Sequence, residues 1–239
     1  MSDPVRLLIT RPAEDAEPLA KALNERGIET VLEPLMSVTD VEGPELNLDG
    51  VQTLLITSAN GIRAFARRQQ DRGLTVYAVG DSSARAAKEL GFESVESASG
   101  DVQALAALVR AELDPKAGAL LHVAGTHVAG DLAGMLEGSG FDVRREVLYQ
   151  AVAVEAFGLE TLEALRAGTI NGVLLFSRRT AGLFSSLVTG AGLSGACGKL
   201  TVYCLSPAVA EKAQGLEWRE VVVAPEPNQD ALLKVIETG

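Results

Sequence analysis

Along the chain, short apolar runs alternate with segments whose apolar residues recur every three to four positions. Residues 5–10 are apolar and rich in strand formers; Ala16, Leu19, Ala20 and Leu23 then share one helical face, and Gly27 supplies a stop. The same reading predicts strands over 28–34, 53–57, 75–79, 93–97, 119–123, 172–176, 200–205 and 220–224, with a long extended segment over 141–152. Helices are expected over 61–70, 82–90, 102–113, 129–139, 159–166, 179–189, 207–214 and 229–237, and a polar, turn-rich stretch over 39–50. Strands that alternate with short helices in this way signal the α/β class, with parallel sheets covered on both faces. So many strands in 239 residues exceed one small sheet, and two sheets of about five fit better.

An internal duplication agrees with two sheets. A shift of 113 residues superposes Leu7 on Leu120, Leu8 on Leu121, Ala16 on Ala129, Leu19 on Leu132, Ala20 on Ala133, Leu23 on Leu136, Gly27 on Gly140, Glu33 on Glu146 and Leu35 on Leu148. Further segments align at slightly larger shifts: Leu55, Ser58 and Phe65 with Leu174, Ser177 and Phe184, then Thr75-Val76-Tyr77 with Thr201-Val202-Tyr203, then Ala104-Leu105 with Ala231-Leu232. The order is first unit, second unit, first unit, second unit.

Charge and composition narrow the function. A formal net charge of −11 argues against non-specific nucleic-acid binding, which needs a basic surface to displace counterions. Aromatic residues make up 4 % of the chain, too few for a base-stacking platform. No apolar run approaches the roughly 20 residues of a membrane helix. Met1-Ser2-Asp3-Pro4 lacks the layout of a secretion signal, so a cytoplasmic location with no membrane partner is expected. Cys197 and Cys204 fit neither a zinc pattern nor a disulfide framework and read as buried thiols. His122 and His127 lack the further ligands of a metal site. Arg63, Arg67, Arg68 and Arg72 read as a solvated helix face.

In open parallel sheets, ligands bind beyond the carboxyl ends of the strands, at the helix starts. There the chain carries Thr10-Arg11-Pro12, Thr57-Ser58-Ala59-Asn60-Gly61, Gly80-Asp81-Ser82-Ser83, Ser99-Gly100-Asp101, Ala124-Gly125-Thr126-His127, Ser177-Arg178-Arg179-Thr180, Ser206-Pro207 and Pro227-Asn228-Gln229. Nearly all are small, hydroxylated or glycine, suited both to capping helices and to offering backbone N–H groups to anions. Phosphate-loop, dinucleotide and nucleophile-elbow motifs are absent, which argues against a nucleotide cofactor or a covalent nucleophile.

Four segments in order, Leu8-Ile9-Thr10-Arg11-Pro12, Leu55-Ile56-Thr57-Ser58-Ala59-Asn60-Gly61, Tyr77-Ala78-Val79-Gly80-Asp81-Ser82-Ser83-Ala84 and Val147-Leu148-Tyr149-Gln150, resemble the uroporphyrinogen-III synthase family. The resemblance runs from Leu7 to about Ile236. It implies a cofactor-free enzyme that cyclises linear hydroxymethylbilane to uroporphyrinogen III, losing water and inverting the last pyrrole ring through an azafulvene and a spiro intermediate. It further implies two similar flavodoxin-like parallel-sheet domains. Residues 1–36 with 152–239 would form one and 39–149 the other, joined by extended linkers around 35–39 and 148–152. Sequence patterning alone equally permits two sequential domains divided near 113–118.

By the same resemblance Tyr149 matches the tyrosine favoured to assist loss of the hydroxyl; a phenol stays protonated at neutral pH and can donate. Substrate contacts are expected from Thr10, Arg11, Ser58, Asn60, Gly61, Gly80, Ser82, Ser83, Gly125, Ser177, Arg178 and Ser206. The partner is then a small tetrapyrrole polycarboxylate met by a monomer. Repulsion between an acidic chain and an acidic substrate is screened within about 8 Å at physiological salt, so local donors can dominate. Two turns depart from the family pattern. Leu205-Ser206-Pro207-Ala208 lacks a glycine and threonines, and Ala124-Gly125 lacks an arginine before the glycine. An alternative of another class is a non-catalytic, two-lobed protein that binds a small anion or regulates.

Overall fold

A computed structural model describes residues 5–127 and 130–238. In chain order the elements are β1 (Arg6–Ile9), α1 (Ala13–Asn24), β2 (Glu29–Leu32), β3 (Met36–Asp40), β4 (Val51–Ile56), α2 (Ala59–Arg68) and β5 (Thr75–Ala78). There follow α3 (Asp81–Glu89), β6 (Val95–Ser97), α4 (Val102–Glu112), β7 (Ala119–Gly125), α5 (Leu132–Glu137) and β8 (Val143–Ala153). The last part holds α6 (Leu159–Ala167), β9 (Gly172–Leu175), α7 (Arg178–Gly190), a 3₁₀ turn (Ser194–Lys199), β10 (Thr201–Cys204), α8 (Pro207–Ala213), β11 (Glu220–Val223) and α9 (Gln229–Thr238).

The chain divides into two compact units, Met1–Ser37 with Val152–Gly239 (unit 1) and Val38–Ala151 (unit 2). The sheet of unit 1 has the order β11-β10-β9-β1-β2, with every pair parallel. The other sheet has the order β3-β8-β7-β4-β5-β6. Its pairs from β8 to β6 are parallel. The added edge strand β3 runs antiparallel to β8: Val41 N–H donates to the Leu148 carbonyl and Val154 N–H to that of Leu35, so partners rise in one strand as they fall in the other.

Two-sided burial explains the near-continuous apolar strands. Leu8 of β1 packs with Val173, Phe184 and Val202 on one face, while Leu7 and Ile9 pack with Leu19, Leu23 and Leu232 on the other. In unit 2, Leu54 and Ile56 face Ile62 and Phe65, and Leu55 faces Tyr77, Leu105 and Leu120. Each fully buried Leu, Ile or Phe contributes about 1.5–3 kcal/mol.

The duplication reappears in the pairing register. Leu7 lies opposite Gly172 and Thr30, and its counterpart Leu120 lies opposite Thr53 and Val143, the positions that the repeat shifts specify. Gly172 pairs with Thr201 as Thr53 pairs with Thr75. The strands β2-β1-β9-β10-β11 therefore match β8-β7-β4-β5-β6 one for one.

Local differences from the sequence expectations have identifiable causes. The stretch around 35–39 forms a strand because β8 offers it an edge. The helix expected over 129–139 is described as α5 from Leu132, where the Asp131 carboxylate caps Gly134 N–H at 3.0 Å; Val128 and Ala129 lie outside the described residues. Of the four arginines, Arg67 forms a two-pronged pair with Asp40. Arg72 lies past α2, bonds the Ala66, Gln69 and Leu90 carbonyls and stacks on Phe92, so it is a staple rather than a solvated charge.

Candidate functional site

The carboxyl end of the unit 2 sheet gathers Tyr149, Gly125 and the start of α2. Gly125 of β7 pairs with Tyr149 of β8, just past a register shift at Ala124, and Thr126 N–H donates to the Tyr149 carbonyl at 3.0 Å. Tyr149 is 7 % exposed, its ring packed among the Ile62, Phe65 and Val123 cluster. Among the described residues nothing hydrogen-bonds its hydroxyl. Ser58 caps α2, accepting from Asn60 N–H at 3.2 Å. The Asn60 side-chain oxygen is buried without a partner among the described residues, and Gly61 is buried beside the Val123 carbonyl.

On the adjacent strand β5, Gly80 caps α3 with no side-chain bond, Ser83 is buried and Ser82 is exposed. Asp81 accepts from the Ser97 and Ser99 hydroxyls at 2.7 and 2.9 Å, and those bonds hold its carboxyl below the ordinary range. Sequence patterning puts Asp81 and Ser99 at strand ends but not together, because the serines arrive from the next strand, β6.

In unit 1, Thr10 is fully buried and its hydroxyl donates to the Leu174 carbonyl at 2.7 Å, tying β1 to β9. The Arg11 side chain is 13 % exposed, pairs with Asp15 at 3.1 Å, donates to Gln229 at 2.9 Å and lies over the Phe176 ring at 4.5 Å. Ser177 caps α7, accepting from Thr180 N–H at 3.1 Å and meeting the Thr180 hydroxyl at 2.8 Å. Ser177 and Arg178 are exposed. Ser206 is the N-cap residue of α8 but its hydroxyl makes no capping bond, and Pro207 removes one N–H from that turn.

A helix start favours negative charge, and most starts in this chain already hold some. First-turn acids occupy α1, α3, α6 and α9, while Asp101 and Asp131 cap α4 and α5. The serine-capped starts of α2 and α7, equivalent positions of the repeat, carry no acid in the cap or first turn, and α7 opens with Arg178 and Arg179. These are starts where an incoming carboxylate meets no resident one.

The two cysteines are unsuited to nucleophilic chemistry. Burial pushes the Cys197 and Cys204 thiols up to about 11, away from the reactive thiolate. Among the described residues no three His, Cys, Asp or Glu side chains group as metal ligands.

Two doubly wound sheets, parallel apart from the added edge strand β3, with Gly- and Ser-rich turns at their carboxyl ends, define a two-unit α/β protein. A family model described as Uroporphyrinogen-III synthase HemD matches residues 17–234. The chain belongs to the uroporphyrinogen-III synthase family, and is thereby a cyclising lyase of haem and tetrapyrrole biosynthesis. Among solved structures, it is similar to uroporphyrinogen-III synthetase from Helicobacter pylori, with 14 % identity, TM-score 0.65, and 98 % and 99 % of the two chains covered. A mutant uroporphyrinogen III synthase from the extremely thermophilic bacterium Thermus thermophilus is similar at 17 % identity and TM-score 0.56, covering 98 % of each chain. These likenesses bear on the fold. The family match carries the activity and disfavours the alternative of a non-catalytic anion binder. No helix among the described residues is long and apolar enough to cross a membrane.

Proposed function

We propose that the chain converts hydroxymethylbilane to uroporphyrinogen III with Tyr149 as donor to the departing hydroxyl. The observation that carries this is a phenol whose ring is fixed by packing while its hydroxyl has no partner among the described residues. The bond from the terminal methylene carbon to oxygen breaks, the pyrrole nitrogen lone pair supplying electrons to that carbon. The oxygen takes the phenolic proton and leaves as water, and the phenolate recovers a proton released by the pyrroles as the ring closes. No cofactor is required for that balance. Most of the acceleration is orientation: a flexible four-pyrrole chain must bring its ends together.

Within each unit, carboxylate binding is read at the acid-free helix start: Ser58-Ala59-Asn60-Gly61 in unit 2, with Gly80, Ser82 and Ser83 on the neighbouring strand end, and Ser177-Arg178 in unit 1, with Ser206 beside it. Each dipole or charge-assisted hydrogen bond contributes about 0.3–2 kcal/mol. Thr10 and Arg11, whose side chains are engaged with Leu174 and Gln229 within unit 1, are read as holding the end of β1 in place. Action as a monomer on a water-soluble polyanionic substrate, in the cytoplasm, belongs to this reading.

Freshly prepared hydroxymethylbilane, followed by isomer analysis, tests the activity; type I product at the spontaneous rate alone would overturn it. For the donor, Tyr149→Phe should lower kcat about tenfold with little change in KM, the low end for a general acid because this hydroxyl leaves readily. An unchanged kcat would return Tyr149 to a packing role.

A further inference from the structure

We propose that Gly125 is a positioning residue for Tyr149: its missing side chain seats the phenol directly on the β7 backbone. The inference rests on the donor role given to Tyr149 above. A Cβ at Gly125 would lie 2.7 Å from the ring carbon that bears the hydroxyl, 2.8 Å from Cε2 and 3.1 Å from the hydroxyl oxygen. No alanine fits there with the ring in place. On its other side the ring faces Gly61 in the first turn of α2, where a Cβ would come to 3.7 Å from Cε1, an ordinary contact. The β7 backbone at this point is itself held, because the Arg145 guanidinium donates to the Gly125 carbonyl at 3.1 Å and Thr126 N–H bonds the Tyr149 carbonyl. Glycine at 125 thus fixes how far the hydroxyl stands from the strand end. Adding a methyl there drives the ring back by about 1 Å, a displacement large enough to spoil proton donation.

Positioning through Tyr149 has a signature that general damage lacks: its cost is bounded by the cost of losing the hydroxyl. The test is a double-mutant cycle on kcat with Gly125→Ala and Tyr149→Phe, with thermal unfolding recorded for each variant. Gly125→Ala should lower kcat by up to the roughly tenfold loss of Tyr149→Phe, leave KM nearly unchanged, and cost nothing further in the Tyr149→Phe background. Multiplicative losses, or an unchanged kcat in Gly125→Ala, would overturn the positioning role while leaving the donor role intact. An unchanged kcat in Tyr149→Phe overturns both. Should Gly125→Ala fail to fold, Arg145→Gln takes its place. Arg145 is exposed, so the fold tolerates the change, and loosening the Gly125 carbonyl should give a smaller kcat loss that also vanishes in the Tyr149→Phe background. A loss that persists there counts against the proposal.

Discussion

His122 of β7 is 3 % exposed, and neither ring nitrogen has a partner among the described residues. Burial first, and the Arg145 charge second, lower its pKa to about 4. An unfolded histidine binds its proton near pH 6.5, so from there down to about 4 the unfolded chain holds more protons than the folded one. Stability therefore falls as pH drops through that window, by an amount on the order of 3 kcal/mol once both states are protonated. His122→Leu should remove this acid sensitivity: urea unfolding of variant and parent compared from pH 7 to pH 4.5 should diverge in the variant's favour. Parallel curves would show that His122 is not the group responsible. From sequence His122 and His127 lack the further ligands of a metal site; the structure places His122 in the core of unit 2. Sequence position likewise puts Thr10 and Arg11 at a strand end. What it does not reveal is that their partners, Leu174 and Gln229, stand 164 and 218 residues away. Commitment of a side chain to distant partners leaves no local pattern.

At the scale of elements, strands buried on both faces were legible because they read as apolar runs, as in Leu7-Leu8-Ile9 or Leu120-Leu121-His122-Val123. The edge strand β3, Met-Ser-Val-Thr-Asp, was not: only Met36 is buried, and its pairing depends on a β8 edge more than 100 residues away. Helix starts were legible as small polar turns, but which were already neutralised was not, since that turns on Asp101, Asp131 and first-turn acids acting together. The acid-free starts of α2 and α7 give a prediction at this scale. If backbone N–H groups share the carboxylates, Ser58→Ala or Ser177→Ala should each cost about 1 kcal/mol, seen as a roughly fivefold rise in KM and a lower unfolding midpoint. A hundredfold loss from either serine would show that side chains, not backbone, carry recognition.

Across the whole molecule, the repeat order and the sheet order disagree in an informative way. Each repeat gives its first βαβ segment to one unit and its remaining strands to the other: β1 and β2 join β9, β10 and β11, while β7 and β8 join β4, β5 and β6. The alignment of repeats was legible in the sequence pattern, whereas the crossing came only from the family resemblance, because similar halves can pair within a repeat or across repeats. Two expression experiments separate these. Residues 39–149 alone should unfold cooperatively in urea as an independent domain. A chain divided after Lys116, in the exposed turn where Ala117 N–H bonds the Asp114 carbonyl, should yield two halves that stay unfolded singly and recover structure when co-expressed. A residue 1–116 half that folds cooperatively by itself would overturn the crossed arrangement.

The crossing also sets an order of events during synthesis. The segment β1-α1-β2 leaves the ribosome before unit 2, yet β9, β10 and β11, which complete its sheet, are encoded after Val152. Unit 2 is continuous and complete once Ala151 has emerged. The chain beyond it takes several seconds to make at about 5–20 residues per second. Throughout that interval Leu7, Leu8 and Ile9, all but fully buried in the finished protein, lack β9, the strand that covers one edge of β1. Slowing translation late in the message lengthens that exposure, and the nascent chain's dependence on chaperones should rise with it.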